Sequence, residues 1–418
     1  MTVLSPLSAR MLEATRLTRE GRLQEATAVL QQSLAQGAER NPDAPPDASP
    51  RASYPRAAPA RVFDVDPETG RVAGPPDMGA PGAAKGAARD AHGSSSAPPA
   101  EQRGKQKRAP GAWSFGKATA FRMRSTTTTI VPPGAQFTDE RFDGAHGHRM
   151  YKLYTPSTHR GEPMPLVVML HGCTQSADDF AIGTGMNRLA EEHGVLVAYP
   201  EQLAAANANR CWNWFRSGDQ QRDRGEPALI AGVTRQVTRA HAVDPARIYI
   251  AGLSAGGAAS AVMGMAYPDL YAAVGVHSGL ACGAAHDVMS AFAAMRGSAP
   301  AGDPRRSGGT ARRLVPTIVF HGDADPTVHE QNGLAVMEQA AAGIELTATT
   351  HRGQVPGGRA YTRTVHARMD GTAVIERWAV HDGGHAWSGG DAAGSFTDPQ
   401  GPDASREMLR FFLDHRLP

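Results

Sequence analysis

The sequence predicts an α/β fold, a mostly parallel sheet flanked by helices, over residues 126–418. Short apolar, β-rich runs recur through this region, and helical stretches separate them. Strands that alternate with helices pair in parallel, because each helix carries the chain back across the sheet. The central runs are nearly continuously apolar, which is typical of strands covered on both faces. We therefore expect the chemistry to lie at the carboxyl ends of the central strands.

Seven short runs are predicted as strands because they are apolar and rich in β-branched or aromatic residues. They are Tyr151–Tyr154, Leu166–Leu170, Val195–Tyr199, Arg247–Ala251, Ala273–Val276, Thr317–Phe320 and Val374–Val380. A last helix is predicted to begin after Asp403, a favourable N-cap residue, and to end near His415. Met408, Phe411 and Phe412 share one face of this helix, and we expect that face to pack on the sheet.

Residues 1–37 are predicted to form a helical hairpin. Apolar residues recur at helical spacing on both sides of Gly21, and Gly37 ends the pattern. Each helix has an apolar face that it cannot bury alone, so we expect the hairpin to dock on the rest of the chain, on a copy of itself or on a partner. A loosely docked appendage and a specific interaction module both fit this pattern.

Residues 38–125 are rich in Pro, Ala, Gly, Ser and Arg, and they predict a disordered linker. Such a composition buries too little apolar surface to offset the entropy that a chain loses on folding. The short basic run Arg103–Arg108 is interpreted as a solvated part of this linker. The chain is thus divided into a hairpin (1–37), a linker (38–125) and a folded domain (126–418).

Composition and charge argue against several classes of protein. The 418 residues include 43 Lys/Arg and 41 Asp/Glu, so the dense basic field of a nucleic-acid-binding protein is absent. No apolar run approaches the length of a transmembrane segment. The N-terminus has no recognisable signal peptide, which favours a cytoplasmic location. Three cysteines are too few for a disulfide-dense scaffold.

The most specific motif is Gly252-Leu253-Ser254-Ala255-Gly256, which follows a predicted strand and precedes a stretch of small residues. This G-x-S-x-G pattern is typical of a nucleophile elbow, a tight turn that exposes a serine hydroxyl between a strand and a helix. The helix places its positive end beside that hydroxyl. The alternative is that the glycines only allow strand and helix to pack closely. The partner residues described next favour the nucleophile.

A serine hydroxyl is a weak nucleophile unless an adjacent base takes its proton. Where this elbow occurs, an acid and then a histidine follow the serine along the chain. After the last predicted strand, two glycines allow a loop to fold back over the sheet edge with His385 at its tip. We prefer His385 as the base over His381, because His381 lies closer to the strand and is expected to be packed there.

The acid is expected after the strand that lies between the serine and the histidine in sequence. Asp323 and Asp325 both follow the predicted strand Thr317–Phe320. Asp323 comes directly after Gly322, where a short acidic side chain commonly stabilises a turn. We prefer Asp325, which lies further into the loop, as the residue that fixes the tautomer of the histidine.

The oxyanion of a tetrahedral intermediate needs preorganised hydrogen-bond donors. One candidate is the backbone N–H of Ala255, directly after the serine. The other is the N–H of Cys173, in the loop His171-Gly172-Cys173-Thr174-Gln175 that follows a predicted strand. A cysteine nucleophile is disfavoured here, because Cys173 has no elbow of its own. The sequence has no C-x-x-C pair, and we predict neither a metal nor a cofactor.

Two tryptophans are candidates for substrate binding. Trp387 lies two residues after the proposed base, and we expect it to line a groove for an acyl or polymer chain. Trp214 belongs to the aromatic cluster Trp212, Trp214 and Phe215. For this cluster, a role in the groove and a role in the core are equally compatible with the sequence.

Together these residues resemble the polyhydroxybutyrate depolymerase-like esterases, a family with the α/β-hydrolase fold whose relatives include feruloyl and acetylxylan esterases. The matching motifs are HGCTQ (His171–Gln175), CWNWF (Cys211–Phe215), VDPARIYIAGLSAGG (Val243–Gly257), HGDADPTV (His321–Val328) and GGHAWSGG (Gly383–Gly390). The resemblance extends over about 135–415. It implies a catalytic triad of Ser254, Asp325 and His385.

The resemblance also implies ester hydrolysis, with short-chain poly(3-hydroxybutyrate) or its oligomers as the expected substrate. Feruloyl or acetyl esters on polysaccharide are the alternative. Many members are extracellular and carry a signal peptide and a polymer-binding domain, neither of which is recognised here, so the compartment stays open. Cys173 and Cys211 lie in motifs near the proposed site. They either pair as a disulfide or remain reduced thiols.

Overall fold

The computed structural model describes residues 62–64, 131–297 and 313–418 of the chain. All of them lie in one unit, Ala60–Pro418. The predicted hairpin (1–37) and most of the predicted linker (38–125) lie outside the described residues. The account below therefore concerns the folded domain that was predicted over 126–418, together with one short strand before it.

The described residues form a large sheet of eleven strands and a small sheet of two. The strands are β1 (Val62–Asp64), β2 (Gln136–Gly144), β3 (Gly147–Thr155), β4 (Met164–Leu170), β5 (Leu196–Pro200), β6 (Val243–Leu253), β7 (Ala273–His277), β8 (Thr317–Gly322), β9 (Thr347–Gln354), β10 (Ala360–Ala367), β11 (Ala373–Val380), β12 (Trp387–Ser388) and β13 (Thr397–Asp398). The large sheet has the order β1-β9-β10-β11-β8-β7-β6-β4-β5-β3-β2, and β12 pairs with β13.

The centre of the large sheet is parallel. Each neighbouring pair in the series β11-β8-β7-β6-β4-β5 runs in the same direction. Antiparallel strands extend it on both sides, β3 and β2 beyond β5, and β10 and β9 beyond β11. All seven predicted strands are present, and the predicted α/β class with a mostly parallel sheet is confirmed.

Helices cover both faces of this sheet. Within the described residues they are α1 (Ala177–Thr184), α2 (Met186–His193), α3 (Gly225–Ala240), α4 (Ala255–Ala266), α5 (Val288–Met295), α6 (Gln331–Ala341) and α7 (Ala404–Leu413). Along β4, Leu166 and Val168 belong to one buried apolar cluster, whereas Val167 and Met169 belong to a second. Because side chains alternate along a strand, the two clusters lie on opposite faces of the sheet.

The strands β2, β9 and β10 were not predicted from the sequence. No residue of β2 is buried, and every residue of β10 is half-buried. Strands near the edge of a sheet expose one face to water and carry polar residues there. A search for continuous apolar runs therefore misses them.

β1 lies within the segment that was predicted to be a linker. It is the outermost strand on its side of the sheet and pairs in parallel with β9, with Val62 opposite Ala348. At these three residues the structure departs from the linker prediction. A composition averaged over a long segment conceals a short Val-Phe run, although both residues favour strands.

The last helix, α7, follows the prediction closely. The Asp403 side chain accepts a hydrogen bond from the backbone N–H of Arg406 at 2.9 Å and so caps the helix. Met408, Phe411 and Phe412 are buried, as expected. The helix ends at Leu413, two residues before the predicted end.

Candidate active site

Ser254 occupies a tight turn between β6 and α4. β6 ends at Leu253 and α4 begins at Ala255, so a single residue joins strand and helix. The backbone of Ser254 lies at φ 58° and ψ −119°, which L-residues rarely adopt. Its N–H donates to the carbonyl oxygen of His277 at 2.9 Å. The strand-turn-helix context that the G-x-S-x-G motif predicted is confirmed.

Close backbone contacts explain the two glycines of this turn. A Cβ atom on Gly256 would lie 2.0 Å from the carbonyl oxygen of Leu170, at the end of β4. A Cβ atom on Gly252 would lie 2.4 Å from the backbone of Gly256. Both distances are far inside van der Waals contact, so a side chain at either position would force the backbones apart. The close approach brings the loop after β4 next to Ser254.

The structure brings together the three side chains predicted as nucleophile, base and acid. His385 Nε2 lies 2.9 Å from Ser254 Oγ, and His385 Nδ1 lies 2.7 Å from Asp325 Oδ2. The three residues follow β6, β11 and β8, and parallel strands end at the same edge of a sheet. If Nδ1–H donates to the carboxylate, Nε2 is free to accept the serine proton.

Asp325 is held as a buried carboxylate. Its side chain has no exposed surface, and its Oδ1 accepts hydrogen bonds from the backbone N–H groups of Thr327 and Val328 at 2.8 and 2.9 Å. Burial raises the pKa of Asp325, but the hydrogen bond from His385 and these two N–H groups outweigh burial, so the pKa is lowered overall. The ionised carboxylate can therefore orient the imidazole and stabilise an imidazolium.

The two rival residues pair with each other rather than with the serine. His381 Nδ1 lies 2.8 Å from Asp323 Oδ2, and His381 Nε2 lies 2.9 Å from Thr362 Oγ1. This second pair is much more exposed than the first, with His381 and Asp323 side chains 41% and 34% accessible. The geometry thus favours Asp325 and His385 as the partners of the serine.

The predicted oxyanion donors lie on two segments that meet at the turn. Ala255 is the first residue of α4. Cys173 follows Gly172, where an added Cβ atom would lie 3.6 Å from the carbonyl oxygen of Leu253. Neither the Cys173 nor the Ala255 N–H donates a hydrogen bond to any other residue that the structure describes. Both groups can therefore donate to a substrate oxygen.

The loop that carries Cys173 is braced by the segment around residue 211. Cys173 and Cys211 form a disulfide, which settles the alternative that the sequence left open. The N–H of Thr174 also donates to the carbonyl oxygen of Asn209 at 2.7 Å. Cys282 is a buried cysteine outside this disulfide. A disulfide and a hydrogen bond therefore both join the loop to the segment at residues 209–211.

His171 is a buried histidine that shapes the same loop. Its Nδ1 lies 2.7 Å from the carbonyl oxygen of Gly172, and its Nε2 accepts the backbone N–H of Gln202 at 3.0 Å. The Trp212 indole N–H donates to the His171 carbonyl oxygen at 3.1 Å. Burial lowers the pKa of His171 to about 4, so the ring is neutral at neutral pH. A neutral ring is also what an accepting Nε2 requires.

Sequence reasoning missed His277, the last residue of β7. Its carbonyl oxygen accepts the N–H of Ser254, and its Nε2 accepts the N–H of Ser388 at 3.0 Å. Burial lowers the pKa of His277 to about 3. It thereby links the turn of the nucleophile to the segment after His385. Its position directly after the predicted strand Ala273–Val276 was the signal that could have identified it.

Sequence reasoning also gave no role to Gln175, although it belongs to the HGCTQ motif. Its side-chain oxygen accepts the N–H of Gly172 at 2.9 Å, and its side-chain NH₂ donates to the carbonyl oxygen of Ser395 at 3.0 Å. Gln175 is buried. It therefore joins the loop of Cys173 to the chain that follows the proposed base.

The two tryptophans predicted to bind substrate are both buried. Trp387 is 1% exposed, its indole N–H donates to Ser405 Oγ at 3.0 Å, and its ring stacks on His277. The groove prediction is wrong for Trp387, because nearness in sequence to the base does not fix the direction of a side chain. Trp214 is 7% exposed and packs edge-on against Phe215, so it offers little surface to a substrate.

Two further features concern the described residues only. In that part of the chain, no group of three or more His, Cys, Asp or Glu side chains is arranged to hold a metal ion. None of its helices is both long and apolar enough to cross a membrane. The absence of a metal and of a cofactor from the reaction stays a prediction.

Comparison with known proteins agrees with the motifs. Residues 149–348 match the family model described as esterase PHB depolymerase. This range contains Ser254, Asp325 and both oxyanion candidates, and it ends before His385. The resemblance that the motifs predicted is confirmed over the matched range.

Two curated relatives show the breadth of the similarity. Poly(3-hydroxyalkanoate) depolymerase C of Paucimonas lemoignei is 33% identical over 228 residues, which cover 53% of this chain and 54% of that protein. Feruloyl esterase B of Thermothelomyces thermophilus is 29% identical over 262 residues, which cover 59% of this chain and 86% of that protein. The chain thus spans about half the length of the depolymerase that it matches.

Among solved structures, an acetyl xylan esterase from Aspergillus awamori superposes with a TM-score of 0.52 at 18% identity. The match covers 67% of this chain and 99% of that chain. At this identity the likeness concerns the fold alone. The described domain has the α/β-hydrolase fold, with a large, mostly parallel sheet flanked by helices.

Proposed function

We propose that this chain, a relative of the PHB depolymerase esterases over residues 149–348, hydrolyses carboxylic esters with Ser254 as nucleophile. The observation that carries the proposal is the line of hydrogen bonds from Asp325 through His385 to Ser254, at 2.7 and 2.9 Å. The serine of this line stands in a strained turn at the N-terminus of a helix, where its hydroxyl is presented to a substrate.

In the first half of the reaction, His385 Nε2 takes the proton of Ser254 as the serine Oγ attacks the ester carbonyl carbon. The Asp325 carboxylate holds the ring in the required tautomer and stabilises the imidazolium. The N–H groups of Ala255 and Cys173 donate to the oxyanion that forms. The imidazolium then protonates the leaving alcohol, and the acyl group stays on the serine.

In the second half, water replaces the alcohol. His385 takes a proton from the water, whose oxygen attacks the acyl carbonyl carbon. The same two N–H groups stabilise the second oxyanion, and its collapse breaks the bond to the serine Oγ. The imidazolium returns its proton to Ser254, and the carboxylic acid is released.

We propose a short-chain 3-hydroxyacid ester, or oligomers of it, as the substrate. The match of residues 149–348 to the PHB depolymerase esterase model supports this class. A second candidate is a feruloyl or acetyl ester on polysaccharide. It is favoured by the feruloyl esterase relative, of whose length the similarity covers 86%.

A panel of esters tests both the proposed ester hydrolysis and the proposed substrate class. We expect kcat/KM for 3-hydroxybutyrate oligomers to exceed that for methyl ferulate and acetylated xylan. Ser254→Ala should lower kcat on every ester by about 10⁶-fold, as the loss of a catalytic serine does elsewhere, while thermal unfolding stays nearly unchanged. A higher kcat/KM for the feruloyl or acetyl ester would instead support the second candidate, an ester on polysaccharide, as the substrate. A folded protein that hydrolyses no ester would contradict the proposal.

A further inference from the structure

The loops that carry the proposed acid and base are linked outside the triad itself. They follow β8 and β11, which are adjacent parallel strands. The N–H of Asp323 donates to the carbonyl oxygen of Val380, and the N–H of Ala324 donates to that of Gly383, both at 3.1 Å. The two loops therefore begin as a continuation of the β8–β11 pairing.

The carboxylate of Asp323 adds two links between the same loops. Its Oδ1 accepts the backbone N–H of Asp382 at 2.7 Å, and its Oδ2 lies 2.8 Å from His381 Nδ1. When Nδ1–H donates to Asp323, the other ring nitrogen of His381 accepts the hydroxyl of Thr362, which lies 2.9 Å away. His381 thus joins the acid loop to β10.

The backbone that this carboxylate holds is strained. Asp382 has φ 55°, a left-handed conformation that costs free energy for a residue other than glycine. Its N–H donates to Asp323, and its carbonyl oxygen accepts a hydrogen bond from Arg359 Nη1 at 2.7 Å. Both polar groups of the strained residue are therefore fixed from outside. His385 follows three residues later.

We infer that Asp323 and His381 are positioning residues, which hold the base loop so that His385 reaches Ser254. The inference rests on the proposed function and deepens it. Neither residue takes part in the line of hydrogen bonds to the serine, so each acts through the backbone of residues 381–385. Asp323 and His381, the alternatives to Asp325 and His385 in the sequence, are thereby assigned a structural role beside the site.

The test compares Asp323→Ala with Asp370→Ala. Asp370 is a matched control, because it is also an exposed aspartate that accepts one backbone N–H, that of Thr372 at 2.9 Å. It lies in the β10–β11 turn, at the end of these strands away from His381. We expect Asp323→Ala to lower kcat by about 10- to 100-fold, the usual effect of misplacing a catalytic group by about an ångström. KM should change little, and Asp370→Ala should match the wild type.

Two further variants distinguish positioning from general stability. Asp323→Asn keeps an oxygen that can accept the Asp382 N–H, so it should recover most of the lost kcat. Asp323→Ala combined with His381→Ala should lose little more than Asp323→Ala alone, because residues that act as one unit are not additive. If Asp323→Ala does not fold, His381→Ala carries the test, and we expect a smaller loss of kcat at unchanged KM.

The outcomes separate this inference from the proposed function. An active wild type with Asp323→Ala and His381→Ala indistinguishable from Asp370→Ala would overturn the positioning role alone. Strictly additive losses in the double variant would also overturn the pairing of the two residues. An inactive wild type whose Ser254 fails to react with a fluorophosphonate would instead overturn the proposed function.

Discussion

His171 and His277 flank Ser254 as buried neutral rings, and each fixes backbone rather than substrate. His171 accepts the N–H of Gln202, and His277 accepts that of Ser388. A buried imidazole can accept a hydrogen bond only while it is neutral, and burial lowers the pKa of both rings to about 4 and about 3. Both rings must therefore stay neutral to hold the backbone, whereas the proposed base His385 must take up a proton during the reaction.

The low pKa of the buried His171 predicts that the protein loses stability as the pH falls from about 6.5 to about 4. An unfolded His171 takes up a proton near pH 6.5, whereas the buried ring takes it up only near pH 4. Between these values the unfolded state binds one more proton, so the free energy of unfolding falls by about 1.4 kcal/mol per pH unit through this residue.

Urea unfolding of wild type and His171→Gln across this pH range measures the effect. The glutamine oxygen can still accept the Gln202 N–H, but it binds no proton in either state. The slope of unfolding free energy against pH should be about 1.4 kcal/mol per unit shallower in the variant. Equal slopes in the two proteins would show that His171 does not carry this linkage.

The sequence alone only partly predicts which single residues form the candidate site. His385 and Asp325 could be preferred over His381 and Asp323 because loop length and turn chemistry differ between the members of each pair. The direction of Trp387 could not be predicted in this way. Its ring is turned into the core by a hydrogen bond to Ser405, which lies on α7 and is distant in sequence.

At the scale of elements, the loop after β4 is held by more than its disulfide. The Thr174 N–H donates to Asn209, and the His171 carbonyl oxygen accepts the Trp212 indole N–H. Both links join the same two segments as the Cys173–Cys211 bond. The disulfide should therefore stabilise the fold more than it shapes the oxyanion donors.

Replacing Cys173 and Cys211 together by serine tests this division. The disulfide closes a loop with a sequence separation of 38, for which chain entropy gives a stabilisation of about 4 kcal/mol. We expect urea unfolding to show a loss of about 2–4 kcal/mol, with kcat of the folded variant within about threefold of wild type. A large fall in kcat at unchanged stability would instead assign the disulfide to the geometry of the site.

Strands with a strong apolar signal were predictable, and the more polar strands near the edges of the sheet were not. β4 and the second half of β6, residues 248–253, are buried, so their sequences are continuously apolar. β10 is half-buried throughout, and its polar residues conceal its pairing with β11. The stability of such a strand comes from neighbours that only the folded chain supplies, and no local pattern reports them.

At the scale of the whole molecule, the parallel sheet explains why distant motifs meet. Ser254, Asp325 and His385 follow β6, β8 and β11, which all end at one edge of the sheet. The order of the motifs along the chain therefore predicts that these three segments lie close together. The hydrogen bonds that link the surrounding loops were not predictable. Gln175 and His277 make them to segments that are distant in sequence and meet only in the folded chain.

The most direct test of the account is to react the full chain with a fluorophosphonate and to locate the adduct by peptide mass spectrometry. An activated serine attacks this reagent, whereas an ordinary surface serine does not. We expect one adduct, on Ser254, and a labelling rate that falls by about 10²- to 10⁴-fold in His385→Ala, the usual contribution of a general base. A folded wild type that stays unlabelled at Ser254, or labels as fast without His385, would contradict the proposed triad.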